Sequence, residues 1–251
     1  MGAMKKTLSR PLEVAINLPQ ITLFLGFTVA LVAVGHIIVH ALSFFFDITN
    51  TPYVGIFTFF SMGQESNLPT YISTLNLLLA GILCGIISFH ESNLRNRVNW
   101  HWLGLSAGLM LMSVDEAAKI HEGIIGVFLE MSIGRGTGIF YYLWYLVYIP
   151  IVVAVGLLYI PFLKRLPLRY SSRFVLAALV FLGGAVGMEM VESVLKYSGI
   201  NTAISILFEE TLEMLGIVIL IHMLLLYLSE HKYDLNLSFR FKAISLNEPH
   251  L

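Results

Sequence analysis

Six stretches of this sequence are each long and apolar enough to cross a bilayer as a helix, which takes about 20 residues. They fall at about 20–46, 70–90, 99–131, 139–163, 173–197 and 204–228, and little of the chain is left to fold in water. Strands of a transmembrane barrel are only about 9–11 residues long and alternate with a period of two. The expected fold class is therefore all-α: a polytopic membrane helical bundle with six transmembrane helices, forming a single integral membrane domain over 1–251. Of the 251 residues 57% are hydrophobic and only 12% charged, about half the charge of a soluble domain.

Orientation follows from the basic residues, which mark the cytoplasmic side of a membrane protein. Lys5, Lys6 and Arg10 precede the first span, Arg95 and Arg97 follow the second, and Lys164, Arg165, Arg169 and Arg173 surround the fourth connection. Lys232, Arg240 and Lys242 lie in the carboxyl tail. With six spans all of these share one side, which places both termini in the cytoplasm. The first span follows basic residues as a signal peptide would, but its apolar run is about twice the usual length of such a segment, so it reads as an uncleaved span. The long connection at 47–70 is then outside, with an apolar centre that suggests an interfacial or re-entrant piece. The net charge of −1 excludes a basic face for nucleic acid, and the single Cys84 excludes an intrachain disulfide or a cysteine-rich metal site.

Against this apolar background the stretch SVDEAAKIHEG at 113–123 carries Asp115, Glu116, Lys119, His121 and Glu122. Six spans of alternating direction put it in the outer half of the membrane. The same depth holds His36 and His40 late in span one, Glu189 and Glu192 late in span five, and Glu209, Glu210 and Glu213 early in span six. On a continuous helix Asp115, Lys119 and Glu122 lie within about 60° of one another, flanked by Glu116 and His121. Each helix thus has one polar stripe, and the stripes are expected to face a common interior. A charge in the bilayer centre costs at least about 2.5 kcal/mol. The acids therefore need partners, protonation or water; Lys119 and Lys196 can neutralise only two, and a bound cation would fill the deficit. The expected metal ligands are Asp115, Glu122, Glu189, Glu192, Glu209, Glu210, Glu213, His36 and His40, with Glu116 and His121 as catalytic acid or base. Iron, manganese or zinc suits carboxylates with imidazoles on facing helices, although the paired Glu-x-x-His motif of di-iron bundles is absent.

SVDEAAKIHE, GGAVGMEM at 183–190 and EETLEMLG at 209–216 resemble motifs of a family of uncharacterised bacterial multi-span membrane proteins, sometimes labelled multidrug transporters. The resemblance covers spans three to six and does not extend to His36 and His40. It implies that these motifs occur together in a bacterial cytoplasmic (inner) membrane protein, and it supplies no activity.

Bland readings compete with these. The end of span three can emerge into water as a solvated helix. Glu189 and Glu192 can hold helices together through Lys196 or Lys119, and His36 and His40 can hydrogen-bond across helices. His90 and His222, near the cytoplasmic side, suit an interfacial position better than a haem. Met188, Met190 and Met214 are ordinary apolar filler, and Gly183, Gly184 and Gly187 allow close helix packing.

Three functions fit. The first is a metal-dependent membrane enzyme, oxidative or hydrolytic, acting on a lipid-like substrate, with Tyr141, Tyr142, Tyr145 or Tyr148 at the entry. The second is a proton- or cation-coupled small-molecule transporter; no inverted repeat is evident, and the Gly-rich 183–187 is the only candidate for a broken helix. The third is an accessory subunit of a membrane complex. Membrane lipids are the expected partners, and nucleic acid is not.

Overall fold

A computed structural model describes residues 17–46, 48 and 53–231, apart from the side chains of Arg95 and Glu122. The terminal basic residues used for orientation lie outside the described residues. The described residues are almost entirely helical and contain no strand. Five helices are long and apolar enough to cross a membrane: Leu18–Phe46, Leu68–Leu94, Tyr145–Arg165, Leu168–Tyr197 and Ala203–Glu230. They match five of the six predicted spans.

The helices are α1 (Leu18–Phe46), α2 (Val54–Phe60), α3 (Leu68–Arg95), α4 (Trp100–Ala118), α5 (Val127–Ile133), α6 (Tyr145–Arg165), α7 (Leu168–Leu182), α8 (Glu189–Tyr197) and α9 (Ala203–Glu230). Two π-helical turns interrupt this series, Ile120–Gly126 between α4 and α5 and Gly183–Met188 between α7 and α8. Local chemistry sets several boundaries. Asn67 caps α3 by accepting the Thr70 amide at 3.2 Å, with Pro69 in the first turn, and Asn96 ends the helix in the left-handed conformation.

The central helix is α9, against which α1, α3 and α7 pack. Its Met214, Ile221, Met223 and Leu224 are almost fully buried, whereas Phe24, Phe27, Leu157 and Leu158 on α1 and α6 face outward. That is the arrangement expected where lipid, not water, is the surrounding medium, since apolar side chains then cost nothing outside. Close packing comes instead from small residues and hydroxyl bonds. Ser106 donates to the Gly81 carbonyl at 2.8 Å and Ser113 to that of Thr74 at 2.9 Å, fastening α4 to α3. A Cβ on Gly216 would stand 2.7 Å from the Phe181 amide nitrogen, and one on Gly184 would stand 2.6 Å from the Glu209 carbonyl oxygen. Those two glycines bring α7 and the turn after it onto α9. Gly183 and Gly187 have nothing within reach of a Cβ, so the close-packing role predicted for three glycines belongs to Gly184.

The third predicted span, 99–131, is not one continuous helix. It breaks at Lys119, whose backbone is left-handed (φ 52°, ψ 45°), and resumes as the π-helical turn. The connection at 47–70 does contain a short apolar helix, α2, packed on α1. Phe60 from its end fills the space beside Gly35.

Candidate functional site

The break at Lys119 organises the first half of the site. A left-handed lysine costs about 1–2 kcal/mol, and the surroundings offset this. Asp115, four residues earlier, turns its carboxylate across the break. Oδ1 accepts the His121 amide at 2.8 Å and Oδ2 accepts His121 Nδ1 at 2.9 Å. Lys119 points away, to Glu65 of the connection between α2 and α3, at 3.0 Å. The expected stripe of Asp115, Lys119 and Glu122 on one helical face is therefore corrected: the backbone rotates within it, and Lys119 does not neutralise the span carboxylates.

With Nδ1 donating to a carboxylate, the neutral His121 ring carries its lone pair on Nε2. The ring packs at 4.7 Å from Trp144 and 6.1 Å from Tyr148, whose hydroxyl reaches Asp115 Oδ2 at 3.5 Å. Glu116 is half-buried beside Asp115 on α4. The side chain of Glu122 lies outside the described residues.

The second half is built by the other interruption. Three glycines within Gly183–Met188 weaken the α-helical preference there, and Gly184 seats the turn against Glu209 and Glu213 of α9. The following α8 then buries Glu189, Glu192 and Ser193. The carboxyl groups of Glu189, Glu192 and Glu213 all lie within interaction range of that of Glu209. Buried carboxyls this close cannot all carry charge without a proton or a cation to offset them. Oε2 of Glu209 is buried and has no hydrogen-bond partner among the described residues.

An aromatic layer joins the halves. Trp144 donates from Nε1 to Glu189 at 3.1 Å, Tyr142 from its hydroxyl to Glu192 at 2.8 Å, and Tyr145 meets Ser193 Oγ at 3.1 Å. Trp144 thus touches His121 with its ring and Glu189 with its nitrogen. Tyr142 and Trp144 also line a cavity of about 160 Å3 with Glu130 and Val127. Trp144 is the residue the sequence reading missed. FYYLWYLVY reads as an interfacial belt, yet Tyr142, Tyr145 and Tyr148 recur every three residues, and a buried indole needs an acceptor.

Of the predicted site residues, the expected ligands Glu189, Glu192, Glu209 and Glu213 come together, and the expected ligand Asp115 pairs beside them with His121, expected as catalytic acid or base. Glu210 is half-buried on α9. Lys196 is exposed, its ammonium 5.5 Å over the Tyr142 ring, and is not the predicted bridge to Glu189. His36 is corrected outright. Its Nδ1 accepts the Met62 amide at 2.9 Å, so Nε2 carries the hydrogen and donates to the Ala203 carbonyl at 3.0 Å. Both ring nitrogens serve backbone groups, which leaves no lone pair for a metal. His40 stacks on His36 and bonds Ser61 Oγ at 3.3 Å. The two histidines fix the start of the α2–α3 connection onto α1 and α9. Among the described residues no three His, Cys, Asp or Glu converge as a metal-ligand set; the carboxylates share a neighbourhood and not a point.

The match to a family described as a domain of unknown function (DUF8692) runs over residues 24–228, and so includes every one of these groups. The chain belongs to the DUF8692 family. No curated protein and no solved structure matches it. What this chain offers chemically must therefore be read from its own side chains: an Asp–His pair, a group of buried glutamates and an aromatic layer between them.

Proposed function

We propose that this DUF8692 chain is a six-span protein of the bacterial inner membrane, both termini cytoplasmic, and that it is a proton-coupled carrier of a small molecule. The observation that carries the reading is the burial of Glu189 and Glu209 side by side where the Gly183–Met188 turn interrupts a spanning helix. A buried group that holds one proton between two carboxyls can release it when a cationic partner or an aqueous path arrives. Discontinuous helices are where secondary carriers place such sites, because the freed backbone and altered register let a helix change shape around the ligand. The sequence alone offered one candidate break; the structure has two, each next to an acid of the cluster.

Support for the sixth span comes from α4 and α6. Tyr159 donates to the His101 carbonyl at 2.8 Å, and Tyr148 reaches Asp115 from the other end of the same helix. Between these contacts α4 rises about 21 Å and α6 about 16 Å, so the two tyrosines tie α4 to a spanning helix at two well-separated depths.

The test is proton flux in liposomes containing the purified chain and a trapped pH dye, driven by a potassium diffusion potential. Flux is expected in the wild type and is expected to fall at least tenfold in Glu209→Gln and Glu189→Gln. Flux equal in all three would end the carrier reading.

The Asp115–His121 pair favours a second reading, a metal-dependent enzyme with a lipid-like substrate, because a carboxylate-oriented imidazole is both a good base and a good ligand. One or two equivalents of iron, manganese or zinc by elemental mass spectrometry, lost in Asp115→Ala, would move the assignment there.

A further inference from the structure

The α6–α7 hairpin carries a second feature, far from the carboxylates. Its two helices are joined by Leu166 and Pro167 alone and diverge from that turn, leaving an open groove of about 620 Å3. Leu163, Leu168 and Val175 form its walls, while Lys164, Ser171 and Ser172 supply polar groups at the end near the turn. The volume is within the range of small-ligand sites.

Charge around the groove is one-sided. Lys164, Arg165, Arg169 and Arg173 lie within ten residues, and the sequence has no Asp or Glu between Glu130 and Glu189. Among the described residues only Arg169 is drawn off, to Glu230 and the Tyr170 hydroxyl. Arg173 is held along the first turns of α7 by its bond to the Arg169 carbonyl at 2.7 Å. The apolar walls continue into outward-facing side chains of both helices, with Ile160 and Leu176 exposed, so anything seated there meets acyl chains on one side and cations on the other.

We propose that this groove binds the headgroup of an anionic phospholipid from the leaflet at the basic end of the bundle. Lys164 pairs with the phosphate, Ser171 and Ser172 donate to its oxygens, and the acyl chains lie along Leu163, Leu168 and Val175. A zwitterionic lipid offers the same phosphate with its charge cancelled, and a free phosphate lacks the chains that the walls accommodate. The site is independent of the outer carboxylates and of the transport reading.

Native mass spectrometry of the full chain in detergent, titrated with phosphatidylglycerol or with phosphatidylcholine of identical acyl chains, tests this. One phosphatidylglycerol is expected to remain bound where phosphatidylcholine does not. Lys164→Gln is expected to weaken it about fivefold, the factor for one basic residue near an anionic surface. Val175→Trp keeps every charge and fills the groove, and is expected to abolish retention. Equal retention of the two lipids, or full retention by Val175→Trp with folding verified by circular dichroism, would overturn the proposal. So would thermal protection by inorganic phosphate equal to that given by phosphatidylglycerol.

Discussion

A single lysine decides where the Asp–His pair sits. The left-handed backbone at Lys119 is strained for any side chain but glycine, and its ion pair with Glu65 is partly exposed and worth about 1 kcal/mol at most. Lys119→Gly should therefore leave the melting temperature in detergent unchanged or raise it, by relief of about 1 kcal/mol. Lys119→Val should lower it, because a β-branched residue tolerates that conformation worst. A glycine variant that melts well below the wild type would show that the Glu65 contact matters more than the strain. His36 makes the opposite case. His36→Leu orphans the Met62 amide and the Ala203 carbonyl, at about 1–3 kcal/mol each. The melting temperature should drop sharply, with metal content unaltered. Neither role was legible in the sequence. A left-handed lysine has no signature, and a histidine satisfied by two backbone groups has the same letter as one that binds a metal.

At the scale of the elements, hydropathy located nearly everything because span length is fixed by the bilayer and written directly in the composition of each stretch. Leu18–Phe46 and Ala203–Glu230 start and end within a few residues of the predicted spans. The acid cluster was legible for the same reason: alternating direction assigns Glu189 and Glu209 one depth, and the structure joins them. What the pattern could not carry was register, since a π-helical turn shifts every later side chain around the axis while leaving hydropathy untouched. Gly-Gly at 183–184 hinted at one interruption, and nothing marked the other. The register at α8 rests on Gly184, whose hydrogen faces the Glu209 backbone. Gly184→Ala should push α7 off α9 and cost about 1–3 kcal/mol. In the infrared spectrum at neutral pH it should also remove the protonated-carboxyl band expected of the Glu189–Glu209 pair. Gly183→Ala, with open space at its Cβ, should do neither. If both variants keep the band, Gly184 is not what sets the acids together.

For the whole molecule, the number of crossings follows from whether α4 and the turn after it traverse the membrane. Six crossings put the ends of α3 and α6 on the same side; five would put them on opposite sides. Cys84 is completely buried, so the wild type should resist a membrane-impermeant maleimide and serve as the background. Single cysteines at the exposed positions Gln64, Asn93, Ser172 and Ser198 then read the topology directly. Gln64→Cys and Ser198→Cys should label in intact cells, while Asn93→Cys and Ser172→Cys should label only after permeabilisation. Labelling of Ser172→Cys from outside with Asn93→Cys still protected would leave five crossings, and would place Asp115 and His121 in a segment that dips into the membrane without traversing it. The Trp144 contact could survive in that arrangement, because it needs His121 and Glu189 at one depth and not at opposite ends of a crossing. The two tyrosine contacts of α6 with α4, at His101 and at Asp115, are what favour the full traverse, since a dipping segment would leave one end of α6 without its partner.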